Sequence, residues 1–195
     1  MNNNKTRYIT QIAAMSAVAG VLMIFEFPLW FAPGFYKMDL SDLPALVGGF
    51  AMGPLAGMLI EFFKVIISVI LGGTSTFFVG EISNFVVGCS FVVPASILYK
   101  MIRSRKGAYV GMITGTVVLA SVGSAMNAFV LIPTYVRALG LPMEQIVAMG
   151  TAVNPAITSL STLVLFAVVP FNMLKGILVS AITALIYKKI RIIIK

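Results

Sequence analysis

The sequence predicts an all-α integral membrane protein with six membrane-spanning helices. Three observations predict it. Of 195 residues, 59% are hydrophobic and only 10% are charged, whereas soluble domains carry about a quarter charged residues. The apolar residues fall in long runs, and about 20 such residues cross a ~30 Å hydrocarbon core as a helix. The basic residues gather in short clusters between those runs, the pattern of topology signals. The net charge of +8 is therefore read as a membrane signature rather than a nucleic-acid surface.

The elements follow in order. The first run, 8–31, comes after Lys5 and Arg7. It resembles a signal peptide but lacks a small-x-small cleavage site, so it is read as a retained first helix. Residues 32–42 form a polar, turn-rich outer loop. The second run, 43–52, reaches only about 15 Å at the helical rise and is tolerable only when tucked among other helices. Gly53-Pro54 opens the third run, 55–71, and Gly72-Gly73-Thr74-Ser75 closes it. The fourth and fifth runs are 81–101 and 108–133. From Pro155 to Tyr187 a single helix would extend about 50 Å, too long for the core. Pro170 divides it, and proline suits the first helical turn. The sixth span is therefore placed at 170–190, with 137–169 an outer-face excursion. The whole of 1–195 reads as one transmembrane domain.

Charge sets the orientation. Lys5 and Arg7, then Lys100, Arg103, Arg105 and Lys106, then Lys188, Lys189, Arg191 and Lys195 account for ten of the 14 basic residues. The positive-inside rule puts all three clusters in the cytoplasm. Both termini are then cytoplasmic and the crossings even in number.

Polar side chains within the membrane are candidate functional groups, and their depth sorts them. Asn84 lies near the outer end of the fourth span, Asn127 near the outer end of the fifth, and Asn172 and Lys175 at the start of the sixth. The i, i+3 spacing of the last two puts them on one face. With Asp39 and Asp42 of the loop, they share an outer slab roughly 10 Å deep by helical rise, as an externally facing ligand pocket requires. Plainer readings stand beside this one. A membrane asparagine also serves by bonding a neighbouring helix, and a terminal lysine by snorkelling. The two aspartates suit turns or a helix cap. Glu81 suits the N-terminal end of a helix dipole, and Glu61 with Lys64 reads as an intrahelical pair.

The first span carries two small-xxx-small steps, Ala13/Ala17 and Ser16/Gly20. Such faces let helices approach closely, within one bundle or between subunits.

Several chemistries have no residues to support them. The chain has no histidine, so imidazole catalysis and histidine metal sites are excluded. Cys89 is the only cysteine and sits among apolar neighbours. There is no Gly-x-x-x-x-Gly-Lys-Ser/Thr string for ATP phosphates. The expectation is no enzyme, no metal and no cofactor. A scaffold subunit without a small ligand stays open on these grounds.

Three strings carry a family resemblance. They are Phe35-Tyr36-Lys37-Met38-Asp39-Leu40-Ser41-Asp42-Leu43-Pro44, then Asn127-Ala128-Phe129-Val130-Leu131-Ile132-Pro133-Thr134-Tyr135, then Pro170-Phe171-Asn172-Met173-Leu174-Lys175-Gly176. With the order of apolar runs, they resemble the riboflavin-type substrate-binding S components of energy-coupling factor (ECF) vitamin transporters across nearly the whole chain. The stretch between the fifth and sixth runs is longer than that pattern. The resemblance implies a six-helix fold in a bacterial cell membrane, with riboflavin captured from outside as a transported ligand. It implies a membrane coupling protein and two cytoplasmic ATPase subunits as partners. By the same resemblance, ligand contacts fall on Asn127, Asn172 and Lys175, with Asn84 and Asp39 beside them, and the Ala13/Ala17 face docks the coupling protein. An S component for another vitamin is the nearest alternative.

Overall fold

The computed structural model describes residues 3–74, 76, 78–138 and 140–194. The basic cluster Lys188, Lys189, Arg191 and Lys195 lies outside the described side chains. Among the described residues, five helices are long and apolar enough to cross a membrane, and a sixth, shorter one is equally apolar.

Helix α1 runs Asn3–Ile24. The expected first span, 8–31, overshoots it by seven residues. The helix stops before Glu26, and Pro28 lacks the N–H that a continuing helix needs. Phe27–Pro28 instead forms β1, which pairs antiparallel with β2 at Lys37–Met38. This short ribbon closes the loop between α1 and α2, so the loop begins at Phe25 rather than at 32.

Helix α2 (Asp42–Met52) and helix α3 (Pro54–Gly72) form a hairpin with a single linking residue. Gly53 takes φ +104° there, a conformation that a side chain would strain. Pro54 then starts α3 where its missing N–H costs nothing. Helix α2 packs against α1 and α3 and against two later helices, α4 (Val79–Ile102) and α9 (Val169–Ile194). A helix short for a full span is thus enclosed by longer ones, as such a helix requires. Glu81 lies in the first turn of α4 and accepts from the Thr76 hydroxyl at 2.6 Å.

The other two long helices each contain a proline and absorb it in the same way. Helix α5 (Arg105–Met126) passes through a π turn at Asn127–Leu131 into α6 (Ile132–Ala138). After α7 (Met143–Thr151), the short α8 (Leu160–Leu163) passes through a second π turn, Val164–Val168, into α9. Each π turn sits just ahead of its proline, Pro133 or Pro170. Ile132 N–H bonds Asn127 O, and Val169 N–H bonds Val164 O, five residues back. A proline inside a helix removes one bond and crowds the carbonyl four residues earlier, and the wider π turn relieves both.

This corrects two expectations. The last long helix starts at Leu160, not at Pro170, because Ser159 caps it with a reciprocal Ser159–Thr162 capping box. The 137–169 excursion is therefore shorter than expected, and its final ten residues belong to a continuous helix, Leu160–Tyr187. The fifth helix likewise runs Arg105–Ala138, beyond the 108–133 window at both ends.

Two apolar cores result. One fills the bundle around Leu46, Ile60, Phe91 and Leu119. The other gathers Ala32, Tyr36 and Met38 of the loop with Ile132, Ile157 and Phe171. This second core packs the loop onto the proline-bearing ends of α6 and α9.

Candidate ligand site

The second core surrounds a set of buried polar side chains. Asn127 opens the first π turn and is 7% exposed. Its Nδ2 donates to Gly123 O at 2.8 Å, and its Oδ1 accepts from the Tyr36 hydroxyl at 2.8 Å. Burial, with Tyr135 nearby, pushes the Tyr36 phenol well above its ordinary range. It therefore stays a donor at any physiological pH. The Tyr36 ring packs on Phe171 at 5.7 Å between centroids, so one loop residue touches both proline-bearing helices.

Asn172 lies two residues past Pro170. Its Nδ2 donates to Val168 O at 2.9 Å, a carbonyl of the second π turn. A Cβ on Gly123 would come within 2.9 Å of the Asn172 amide, so glycine is what lets α5 approach that side chain. Asn127 and Asn172 therefore both lie against Gly123, one on its carbonyl and one where a Cβ would stand.

One turn further along α9, Lys175 Nζ lies 3.1 Å from Asp39 Oδ2 and 3.1 Å from Asp42 Oδ2. Asp39 also accepts from Ser41 N–H at 2.8 Å and from the Ser41 hydroxyl, a local turn that fixes the loop ahead of α2. Asp39 thus fills the turn role and also holds Lys175. All three charged groups are buried. In such surroundings an unpaired charge is very costly, so the Lys175 ammonium depends on both carboxylates beside it.

The structure brings together four of the five expected ligand residues: Asp39, Asn127, Asn172 and Lys175. Asn84 stands apart on α4, where its buried Oδ1 has no hydrogen-bond partner. Tyr36 is a participant that the sequence does not single out, and Asp42, which the sequence places in the outer slab, joins the cluster without being an expected ligand contact. The signal for Tyr36 was faint, an aromatic in a polar loop. Asp42 was read as a turn or cap residue because nothing local shows that α9 supplies its counter-charge. Lys64 does lie 2.6 Å from Glu61 within α3, but it also bonds Asp42, so the intrahelical reading captures only half of its partners.

Cavities of about 300 and 510 Å³ open elsewhere, between α5 and α9 beside Arg105 and Tyr187, and between α7 and α8. Neither is lined by the polar cluster.

On α1 the two small-residue steps separate. Ser16 and Gly20 are buried, and a Cβ on Gly20 would collide with Ile67 of α3. Ala13 and Ala17 are exposed, beside Ile9, Val18 and Val21.

Comparison with known proteins places this arrangement. The family model for the substrate-specific component of ECF transporters matches residues 7–187. The riboflavin transporter FmnP of Bacillus subtilis (strain 168) is 32% identical, over 96% of this chain and 93% of its own length. The riboflavin transporter RibU of Staphylococcus aureus (strain TCH60) is 31% identical, over 97% of this chain and 93% of its own. A solved S component of a bacterial ECF transporter superposes with a TM-score of 0.75 at 30% identity, covering 98% of this chain and 99% of that one.

Proposed function

The chain belongs to the substrate-specific components of ECF transporters, membrane transport subunits rather than enzymes, and from that premise we propose that its ligand is riboflavin. The ligand is bound from the outer side by the cluster under the Phe25–Ser41 loop. The observation that carries this is the convergence of Tyr36–Asn127, Asn172 and Lys175–Asp39 beneath one loop. The relatives' names supply the vitamin.

The chemistry matches. Riboflavin has a flat apolar ring system, a uracil-like edge of alternating carbonyl and N–H groups, and a hydroxylated tail. A fitting site is mostly apolar with a few convergent polar groups. Asn172 has one bond to Val168 O, which leaves its carbonyl oxygen and second amide hydrogen to read that edge. Lys175 has three donors and two carboxylate partners, so one donor remains for a ring carbonyl or a tail hydroxyl. Asn84, with its buried unpaired oxygen, is a further contact.

Six spans with both termini cytoplasmic complete the reading, α2 being the enclosed short crossing. Transport energy comes from partners: a membrane coupling protein that docks on the exposed Ala13/Ala17 face, and two cytoplasmic ATPases. Trp30, the single tryptophan, is exposed in the outer loop and provides the test. Titration with riboflavin quenches Trp30 saturably at one equivalent, and another vitamin such as thiamine does not. No saturable quenching, or preference for the other vitamin, removes the riboflavin assignment.

A further inference from the structure

The buried charges continue beneath the site. Asp42 commits its two oxygens to different lysines: Oδ1 bonds Lys64 of α3, and Oδ2 lies 3.1 Å from Lys175 of α9. Lys64 is also held by Glu61 Oε2 at 2.6 Å. Neither Lys64 nor Glu61 has any solvent exposure. Glu61 fits only because Gly88 of α4 lacks a Cβ, which would collide with the carboxylate. Both Glu61 oxygens are buried without a hydrogen-bond partner, so Glu61 faces Lys64 as an ion pair alone.

A buried ion pair is a poor way to fasten two helices, since apolar residues of similar volume serve as well or better. Ionisable groups at membrane depth point instead to function. Here the geometry has a specific consequence. Because Lys64 occupies Oδ1, Asp42 can offer Lys175 only Oδ2. Lys175 is thereby shared between Asp39 and Asp42 rather than captured by either. Without Lys64, Asp42 Oδ1 would be released to Lys175, and a third carboxylate contact would take the donor left for a ligand.

We propose that Lys64, fixed by Glu61, is a positioning residue for the ligand site: acting through Asp42, it keeps the Lys175 ammonium shared and open to one further partner. The affinity part of this proposal rests on the riboflavin reading, whereas the link from Lys64 to Lys175 does not.

Two charge-conserving variants test it in the full chain. Glu61→Gln with Lys64→Met removes one charge of each sign and leaves Asp42 free to take Lys175. Asp42→Asn with Lys64→Met also removes one of each but deletes the intermediary. Labelling of Lys175 by an amine-reactive reagent, read by mass spectrometry without ligand, is expected to slow about threefold or more in the first variant and to accelerate in the second, since a tighter ion pair favours the unreactive ammonium. Riboflavin affinity falls about tenfold in the first, the scale of one charge-assisted hydrogen bond, and this loss disappears in a Lys175→Met background. A merely structural role would move labelling the same way in both variants, and that result overturns the proposal. Unchanged labelling in either variant also overturns it. Slower labelling with unchanged affinity removes the role in binding. Wild-type protein that fails to bind riboflavin, with labelling still shifting in opposite directions, rejects the vitamin and keeps the link.

Discussion

The loop-covered end of the bundle and the outward face of α1 use the same membrane in opposite ways. Under the loop, polar and charged side chains turn inward: Asp39, Asn127, Asn172 and Lys175 are each less than a tenth exposed. On α1 small apolar side chains turn outward, and Ala13 and Ala17 are exposed among the described residues. In water the first arrangement would be costly and the second unremarkable. In lipid, an outward alanine gains nothing from the solvent, but it permits the close backbone approach of a second protein. A buried cluster of polar groups in turn marks a place built for a polar ligand. The contrast separates the proposed ligand end from the proposed partner face, and substitutions on one should leave the other intact.

The largest effect is expected on the partner face. Ala13→Trp abolishes co-purification with the coupling protein while riboflavin affinity stays within about twofold, since tryptophan there meets only lipid in the free chain. Loss of vitamin binding instead would merge the two regions. Next come Asn172→Ala and Lys175→Ala, each expected to weaken riboflavin binding by about 1–3 kcal/mol, roughly 5- to 150-fold, with complex formation preserved. Isothermal titration and pull-down read the two arms separately. Tyr36→Phe removes one neutral hydrogen bond to Asn127 and should cost about 0.5–1.5 kcal/mol, a roughly 2- to 12-fold loss of affinity. The ring contact with Phe171 is kept. The smallest effect is expected outside both regions. Ser159→Ala deletes the cap of the last long helix and should lower stability by about 0.5–2 kcal/mol with binding unchanged. No effect on stability would favour a helix that begins at Pro170.

That last prediction bears on what the sequence could disclose. Apolar runs bounded by strong punctuation were placed well: Gly53-Pro54 between α2 and α3, and Gly72-Gly73 after α3, end helices for reasons of backbone geometry that composition shows directly. Runs without such punctuation were misjudged. Phe25–Phe31 is largely apolar yet forms loop and ribbon, with Phe25, Phe27 and Trp30 exposed, because hydropathy does not distinguish a membrane-crossing segment from an apolar outer loop and Pro28 cannot continue the helix. Pro170 reads as a start because a proline inside a helix usually breaks it, and a π turn leaves no trace in hydrophobic pattern. The site was legible as depth but not as contact. Counting residues put Asn127, Asn172 and Lys175 in one slab. That Lys175 lies against Asp39, 136 positions away, and that Lys64 reaches Asp42, depends on how α2, α3 and α9 pack together, which no local spacing encodes.

The cluster of Asn172 and Lys175 is the proposed seat of the vitamin. It is tested most directly by the visible absorption spectrum of protein purified gently and then incubated with riboflavin, wild type beside an Asn172→Ala/Lys175→Ala double variant. One bound flavin per wild-type chain is expected after removal of free vitamin, with a colourless double variant that remains monodisperse. Equal flavin on both proteins, or none on the wild type, would contradict it.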